Sequence, residues 1–368
     1  MRKAYKYRVY LTNGQRRLLD QQLEECRWVY NQTLEIRRDA YTNGLKCGLY
    51  DTQAFLPIWK VQRPSLKLVH SQVLQNVQVR VDLAFQAFFR RLKQGAEDVG
   101  YPRWKQFGRY DSIAYPQYGN GVRLDGDRLI VSKIGAVKLM LHRPLEGTPK
   151  TVTLSRSATG KWYASLSCET EPHLMEPTEH SIGVDVGLLS FATLSDGEQI
   201  ENPRFYRRDE ADLKRVQKRK DAAKNAKDWE ENKKQKLLLA KIHERIGNRR
   251  ADFAHKCSRE LVDQYQVIVF EDLAPQEMGK SRGMRKSIMD VAWTQFIGMT
   301  VSKAAEAGRT VILVDPRNTS KMCSRCGELV QKTLSTRRHT CPQCGLVLDR
   351  DLNAARNILQ RGLQTLRL

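Results

Sequence analysis

Four cysteines stand in two C-x-x-C-G pairs, Cys323/Cys326 and Cys341/Cys344, with 14 residues between the pairs. That spacing suits one tetrahedral zinc site, slightly tighter than the usual ribbon template. Gly327 and Gly345 follow the pairs and permit the positive φ that turns backbone N–H groups toward thiolate sulfurs. With all four positions filled by protein, the zinc has no open site and is expected to be structural. A redox C-x-x-C is disfavoured, because two pairs occur and no thioredoxin-like context surrounds them. The remaining cysteines, Cys26, Cys47, Cys168 and Cys257, sit among apolar neighbours, where thiols serve as small hydrophobes. A reducing compartment suits all eight, and the cytoplasm is expected.

Separated acids form the second constellation. Asp185 lies mid-strand in Ile182-Gly183-Val184-Asp185-Val186-Gly187, and Glu271 ends the apolar run Val267–Phe270. Asp349 and Asp351 open a helix directly after the cysteines. Phosphodiester hydrolysis by two Mg²⁺ ions needs carboxylates that bridge and flank the ions, so acids on strand, strand and helix start suit that chemistry. Taken singly, each has another explanation: Asp185 as an edge aspartate facing water, Asp349 and Asp351 as helix caps or dipole partners. Asp349 fits the cap, and Asp351 could then project toward the other acids. Asp272 neighbours Glu271, and alternation lets only one of the two face a site.

The elements that must position these residues are legible from periodicity. Tyr7, Val9 and Leu11 alternate as a short strand. A helical stripe runs from Gln15 through Leu18, Leu19, Leu23, Cys26, Val29, Tyr30 and Leu34, and a second helix from about Ser71 to Lys93. Between Tyr115 and Cys168 the period becomes two, with short strands near 122–124, 129–131, 137–141, 152–154 and 162–168, suggesting a small barrel or sandwich. Strands at 182–186, 191–194 and 198–201 follow, then long helices from about Asp209 to Tyr265. The strand 267–270, a helix near 288–307 with Val291, Phe296, Val301, Ala304 and Ala305 on one face, and the strand 310–314 complete an α/β pattern.

A chain of 368 residues with formal net charge +22 favours a polyanionic partner, nucleic acid before membrane. No apolar stretch is long enough to span a bilayer, and no signal peptide is apparent. The loop Gly100–Tyr110 interleaves Tyr101, Arg103, Trp104 and Lys105, a pattern suited to phosphate contact with base stacking. The basic run from Arg207 to Arg250 is equally a solvated helix face. The seven histidines show no pairing by spacing, and no phosphate-binding G-x-x-x-x-G-K-[ST] loop occurs, so no nucleotide cofactor is expected.

These motifs together resemble the TnpB family, transposon-encoded RNA-guided nucleases related to type V CRISPR effectors. The resemblance runs through Arg27-Trp28-Val29-Tyr30-Asn31, Leu74-Gln75-Asn76 and Gly100–Lys105 to Gly183–Gly187, Phe270–Leu273 and Asp349–Ala355, with the cysteine pairs between the last two. It implies a multidomain α/β, β and α architecture: an RNase H-like RuvC nuclease domain with a zinc-ribbon insert, a small β-barrel wedge domain and a helical recognition insert. The implied divisions are 1–12 and 113–172 for the wedge, 13–112 for the recognition lobe, 173–318 and 347–368 for the nuclease, and 319–346 for the ribbon. It assigns Asp185, Glu271 and Asp351 as catalytic acids holding Mg²⁺, Asn353 as support for the third acid within reach of nucleic acid, and Gln75 as a reader of a target-adjacent motif. The implied partners are a guide RNA from the transposon end and double-stranded target DNA. A non-cutting RNA-guided repressor would lack at least one acid, and all three are present; a zinc-ribbon transposition protein is the remaining alternative.

Overall fold

The computed structural model describes residues 1–96, 98–273, 290–333 and 336–366. They divide into two compact units, Met1–Thr170 and Glu171–Leu368. The expected helix near 288–307 begins partly outside the described residues.

In the first unit, β1 (Arg2–Tyr10) leads into α1 (Asn13–Thr42). Thr12 caps α1 through a reciprocal bond with Gln15, which satisfies two otherwise orphaned N–H groups. Two short helices, α2 (Leu49–Gln53) and α3 (Phe55–Gln62), precede α4 (Ser71–Lys93). Six strands follow: β2 (Ser112–Tyr115), β3 (Val122–Asp125), β4 (Arg128–Val131), β5 (Gly135–Met140), β6 (Thr148–Arg156) and β7 (Trp162–Glu169). With β1 they form one antiparallel sheet in the order β2-β6-β7-β1-β5-β4-β3. Tyr115 from one edge strand and Val122 from the other are buried in the same core, so the sheet curls into a nearly closed barrel. Leu19, Leu23 and Cys26 of α1 and Leu74, Val77 and Val81 of α4 enter that core too. Leu18, expected on the buried stripe of α1, is exposed instead, because the buried arc is centred on Leu19, Leu23 and Cys26.

The second unit is built on a sheet of β8 (Ser181–Val186), β9 (Ser190–Leu194), β10 (Gln199–Glu201), β11 (Val267–Glu271) and β12 (Thr310–Val314). Its order is β10-β9-β8-β11-β12. The first three strands form an antiparallel meander, while β11 runs parallel to both β8 and β12. The long basic stretch is two helices, α5 (Phe205–Asn225) and α6 (Trp229–Gln264), separated by a turn in which Lys227 has φ 56°. Next come α7 (Trp293–Ala307), the short strands β13 (Arg338–Thr340) and β14 (Val347–Asp349), and α8 (Arg350–Leu366).

Side-chain alternation gives the sheet two faces. Ile182, Val184, Ile268 and Phe270 pack against Leu261 of α6 and Phe296 of α7. Val269, on the opposite face, packs against Ile358 of α8. Val301 and Ala305 of α7, expected inward, are exposed, because the buried stripe runs through Phe296, Thr300, Ala304 and Ala307. Among the described residues, no helix is long and apolar enough to cross a membrane.

Candidate active site

Strand register brings Asp185 and Glu271 together. β8 and β11 are parallel, with Val269 opposite Gly183 and Phe270 opposite Val184, so one further step sets Glu271 beside Asp185. Both carboxylates therefore leave the sheet on the face covered by α8. Two glycines bring that helix close. A Cβ on Gly183 would stand 2.2 Å from the carbonyl oxygen of Ala355, and one on Gly362 would stand 2.4 Å from a methyl of Val269. Asp351 lies one helical turn before Ala355, so the contact at Gly183 carries it toward Asp185.

The electrostatics bear the mark of this gathering. Burial pushes the Asp185 carboxyl well above its ordinary range, and the neighbouring carboxylates of Glu271 and Asp351 push it further, against the guanidinium of Arg350. Burial likewise raises Glu271, opposed by a hydrogen bond from the Thr319 hydroxyl and by Arg361. Asp351 is held by Arg350 at 2.9 Å and faces Arg337 at 3.8 Å. Asp349 accepts the N–H groups of Asp351 and Leu352 at 2.8 and 3.2 Å, the cap position. The carboxylate oxygens of Asp185, Glu271 and Asp351 do not all come within 4.8 Å of one another. Glu271 and Asp351 are each drawn to a donor of the protein.

The cysteines converge more tightly. All four sulfurs lie within 4.8 Å of one another, with Cys323–Cys344 at 3.6 Å and Cys326–Cys341 at 3.5 Å. A zinc ion with bonds of about 2.3 Å sets tetrahedral sulfurs about 3.8 Å apart, so the set fits zinc. The two knuckles repeat one turn: Gly327 N–H donates to Cys323 O at 2.9 Å and Gly345 N–H to Cys341 O at 3.0 Å, both glycines at positive φ. Burial raises the Cys323 thiol, but the backbone N–H groups of Cys326 and Arg325, with the side chains of His339 and Cys344, together outweigh it and bring the thiol down to about 6. A thiol that ionises easily is a ready metal ligand.

Asn353 departs from expectation. Its side chain is fully buried, donating to Met322 O at 2.7 Å and accepting from Ser324 N–H at 3.0 Å. Both ends of the amide are used on the backbone around Cys323, leaving it turned toward the cysteine loop. Periodicity and motif spacing gave no sign of Thr319 or Asn357, whose partners lie 48 and 38 residues away in the chain.

In the first unit, Gln75 is exposed on α4. The loop carrying Tyr101, Arg103, Trp104 and Lys105 is pinned to α1, where Asn31 bonds both the N–H and the C=O of Lys105, at 2.9 and 3.0 Å. Tyr101 meets Phe85 and Phe88 edge-on. Tyr101, Arg103 and Trp104, together with Arg38 and Tyr41, border an open cleft of about 510 Å³.

Comparison with known proteins follows the same lines. Residues 165–282 match a family described as "Probable transposase", and residues 293–358 match the "Cas12f1-like, TNB domain". Residues 1–46 match a "Helix-turn-helix domain", although here they form β1 and α1. A Streptomyces pristinaespiralis protein named "Putative RNA-guided DNA endonuclease" is 36% identical over 99% of this chain and 90% of its own length. Another of the same description, InsQ of Escherichia coli strain K12, is 31% identical over 92% of this chain and 86% of its own. The solved structure of the mini-RNA-guided endonuclease CRISPR-Cas_phi3 shares the fold, with TM-score 0.50, 10% identity, and coverage of 98% and 92% of the two chains. Matched nearly end to end by relatives at 36% and 31% identity, the chain belongs to the TnpB family.

Proposed function

We propose that this protein is an RNA-guided DNA endonuclease that hydrolyses phosphodiester bonds at Asp185, Glu271 and Asp351. One observation carries the proposal: three carboxylates from β8, β11 and the start of α8 share one face of the sheet, and their fields meet at Asp185. A three-stranded antiparallel meander continued by two parallel strands, with a helix across the acid-bearing face, supports an RNase H-like, RuvC-type domain. The names of the relatives support the RNA-guided activity.

Asp185, Glu271 and Asp351 would hold divalent cations, with Mg²⁺ the fitting choice for an all-carboxylate oxygen set. Bound there, such ions would polarise the scissile phosphate and lower the pKa of a coordinated water. The chain's own contribution is to fix the carboxylates. β8 and β11 set two of them side by side, Asp349 caps the helix that carries the third, and Arg350 and Arg337 neutralise that third acid. The four cysteines would hold one structural zinc.

Sequence choice would fall to base pairing between a guide RNA derived from the transposon end and the target strand, while the protein reads backbone and a short adjacent motif. Gln75, exposed on α4, would contact that motif, and Tyr101, Arg103, Trp104 and Lys105 would contact nucleic acid. On this view the barrel is the wedge domain, α1 to α4 the recognition lobe, and residues 319–346 the zinc ribbon inserted in the nuclease domain.

The test is Asp185→Ala, purified with its RNA. It should bind matched DNA as the wild type does and leave it uncut. Undiminished cutting refutes the site. A wild-type complex that binds target without cutting at any Mg²⁺ concentration would favour the repressor alternative.

A further inference from the structure

Between the cysteine loop and the acids lies a chain of buried polar contacts that neither site requires by itself. Thr319, only 3% exposed, gives its hydroxyl proton to Oε1 of Glu271, which is 9% exposed. The carbonyl of Thr319 accepts from the amide of Asn357 at 2.8 Å, and the same amide donates to Met322 O at 2.7 Å. Met322 O also accepts from Asn353, whose oxygen takes Ser324 N–H. Asn353 and Asn357 stand four residues apart on one face of α8, and both are fully buried. They stitch the segment 319–324 along the helix. Thr319 at one end of that segment reaches Glu271, and Cys323 near the other belongs to the four-sulfur cluster.

Resting on the nuclease function proposed above, we infer that Thr319 is the positioning residue of Glu271, held in place from the cysteine loop through Asn353 and Asn357. A carboxylate at the end of a strand can rotate about its side-chain torsions. One buried donor on Oε1 restrains the rotamer and leaves Oε2 outside that bond. The hydroxyl has a second acceptor in reach, Pro316 O at 3.0 Å, so it also has somewhere to turn if Glu271 leaves. Only a bond made in the native arrangement distinguishes Glu271 from a freely rotating acid. The cysteine loop therefore serves the acid site at a distance, by setting where Thr319 stands.

Outer partners of metal-binding carboxylates change metal affinity or activity by about 10- to 100-fold when removed. The full-length chain with its guide RNA is compared as wild type, Thr319→Val, Thr319→Ala and Thr319→Ser. Four quantities are measured: Mn²⁺ binding by calorimetry, the Mg²⁺ concentration for half-maximal cutting, zinc content, and target-DNA binding. Removing the hydroxyl by Val or Ala should weaken Mn²⁺ binding and raise the Mg²⁺ requirement by about 10- to 100-fold, with one zinc retained and target binding unchanged. Ser should restore both. Asn357→Ala should weaken Mn²⁺ binding in the same direction although it touches no acid. Wild-type Mn²⁺ affinity and Mg²⁺ requirement in both Thr319→Val and Thr319→Ala overturn the inference while leaving the nuclease function intact. Mn²⁺ binding by the wild type that is insensitive to Asp185→Ala, with no cutting, overturns both.

Discussion

Asp185 carries the largest electrostatic debt in the site. Burial and two facing carboxylates raise its folded pKa above the value it has in the unfolded chain. A group shifted in that direction supports the folded state at pH below its unfolded pKa, and that support is lost as pH rises through the folded value. Without divalent cation, the wild type should therefore lose thermal stability relative to Asp185→Asn as pH is raised above the ordinary aspartate value of 3.8, and Mg²⁺ should recover it. Melting curves at fixed salt test this, and a wild-type/variant difference independent of pH would contradict it. Glu271 adds in the same direction, opposed by Thr319 and Arg361. The four-cysteine cluster was legible in the sequence because a metal needs those residue types at short, recognisable spacings; the acids, far apart along the chain, stood out only by the strand and helix motifs that carry them. Thr319 was not, since its bond to Glu271 spans 48 residues and a threonine has no spacing that announces it. The partners of Asn353 were hidden for the converse reason: its motif position is plain, but only packing decides which way a buried amide turns.

At the scale of elements, the approach of α8 to the sheet aligns the third acid, and Gly183 is where it is tightest. A Cβ there meets backbone on two sides, Ala355 O at 2.2 Å and Leu359 N at 2.7 Å, so no side chain can move aside. Gly183→Ala should cost about 1–3 kcal/mol or more and impair cutting through Asp351. Gly298→Ala, inside α7 with nothing within 4 Å, should be neutral or gain up to about 1 kcal/mol. Chemical denaturation of the two variants separates close packing from a general intolerance of alanine. The long elements were visible to periodicity because a strand with one buried face alternates and a packed helix shows a stripe; α4 runs over the span expected, Ser71–Lys93. β2 was missed because it lies ahead of the stretch in which the alternation was read, and α2 and α3 because short helices carry little stripe. Strand order was beyond reach of any local pattern. β1 pairs with β7 across more than 150 residues, and the placement of β11 beside β8, which sets Glu271 next to Asp185, is likewise non-local.

For the whole molecule, the question is what the surplus of 63 basic over 41 acidic residues is for. Part of the positive charge is spent internally: Arg245 and Arg249 clamp Asp209 between α5 and α6, Arg250 holds Asp290, and Arg63 holds Glu25. If the remainder merely solvates helix faces, binding to RNA should be weak and depend little on salt. If it tracks a phosphate backbone, log affinity should fall linearly with log salt, by about 0.7 per phosphate contact on a single strand. A slope of about −4 or steeper, from about six contacts, is expected for the full chain with its guide. Two substitutions divide that total by mechanism. Arg103→Gln should make the slope shallower by about 0.7, since it removes a phosphate partner. Trp104→Ala should lower affinity by about 1–3 kcal/mol at every salt concentration and leave the slope unchanged, since stacking releases no counterion. Filter binding across a salt series reads both, and parallel lines for Arg103→Gln and wild type would remove the loop from the nucleic-acid surface.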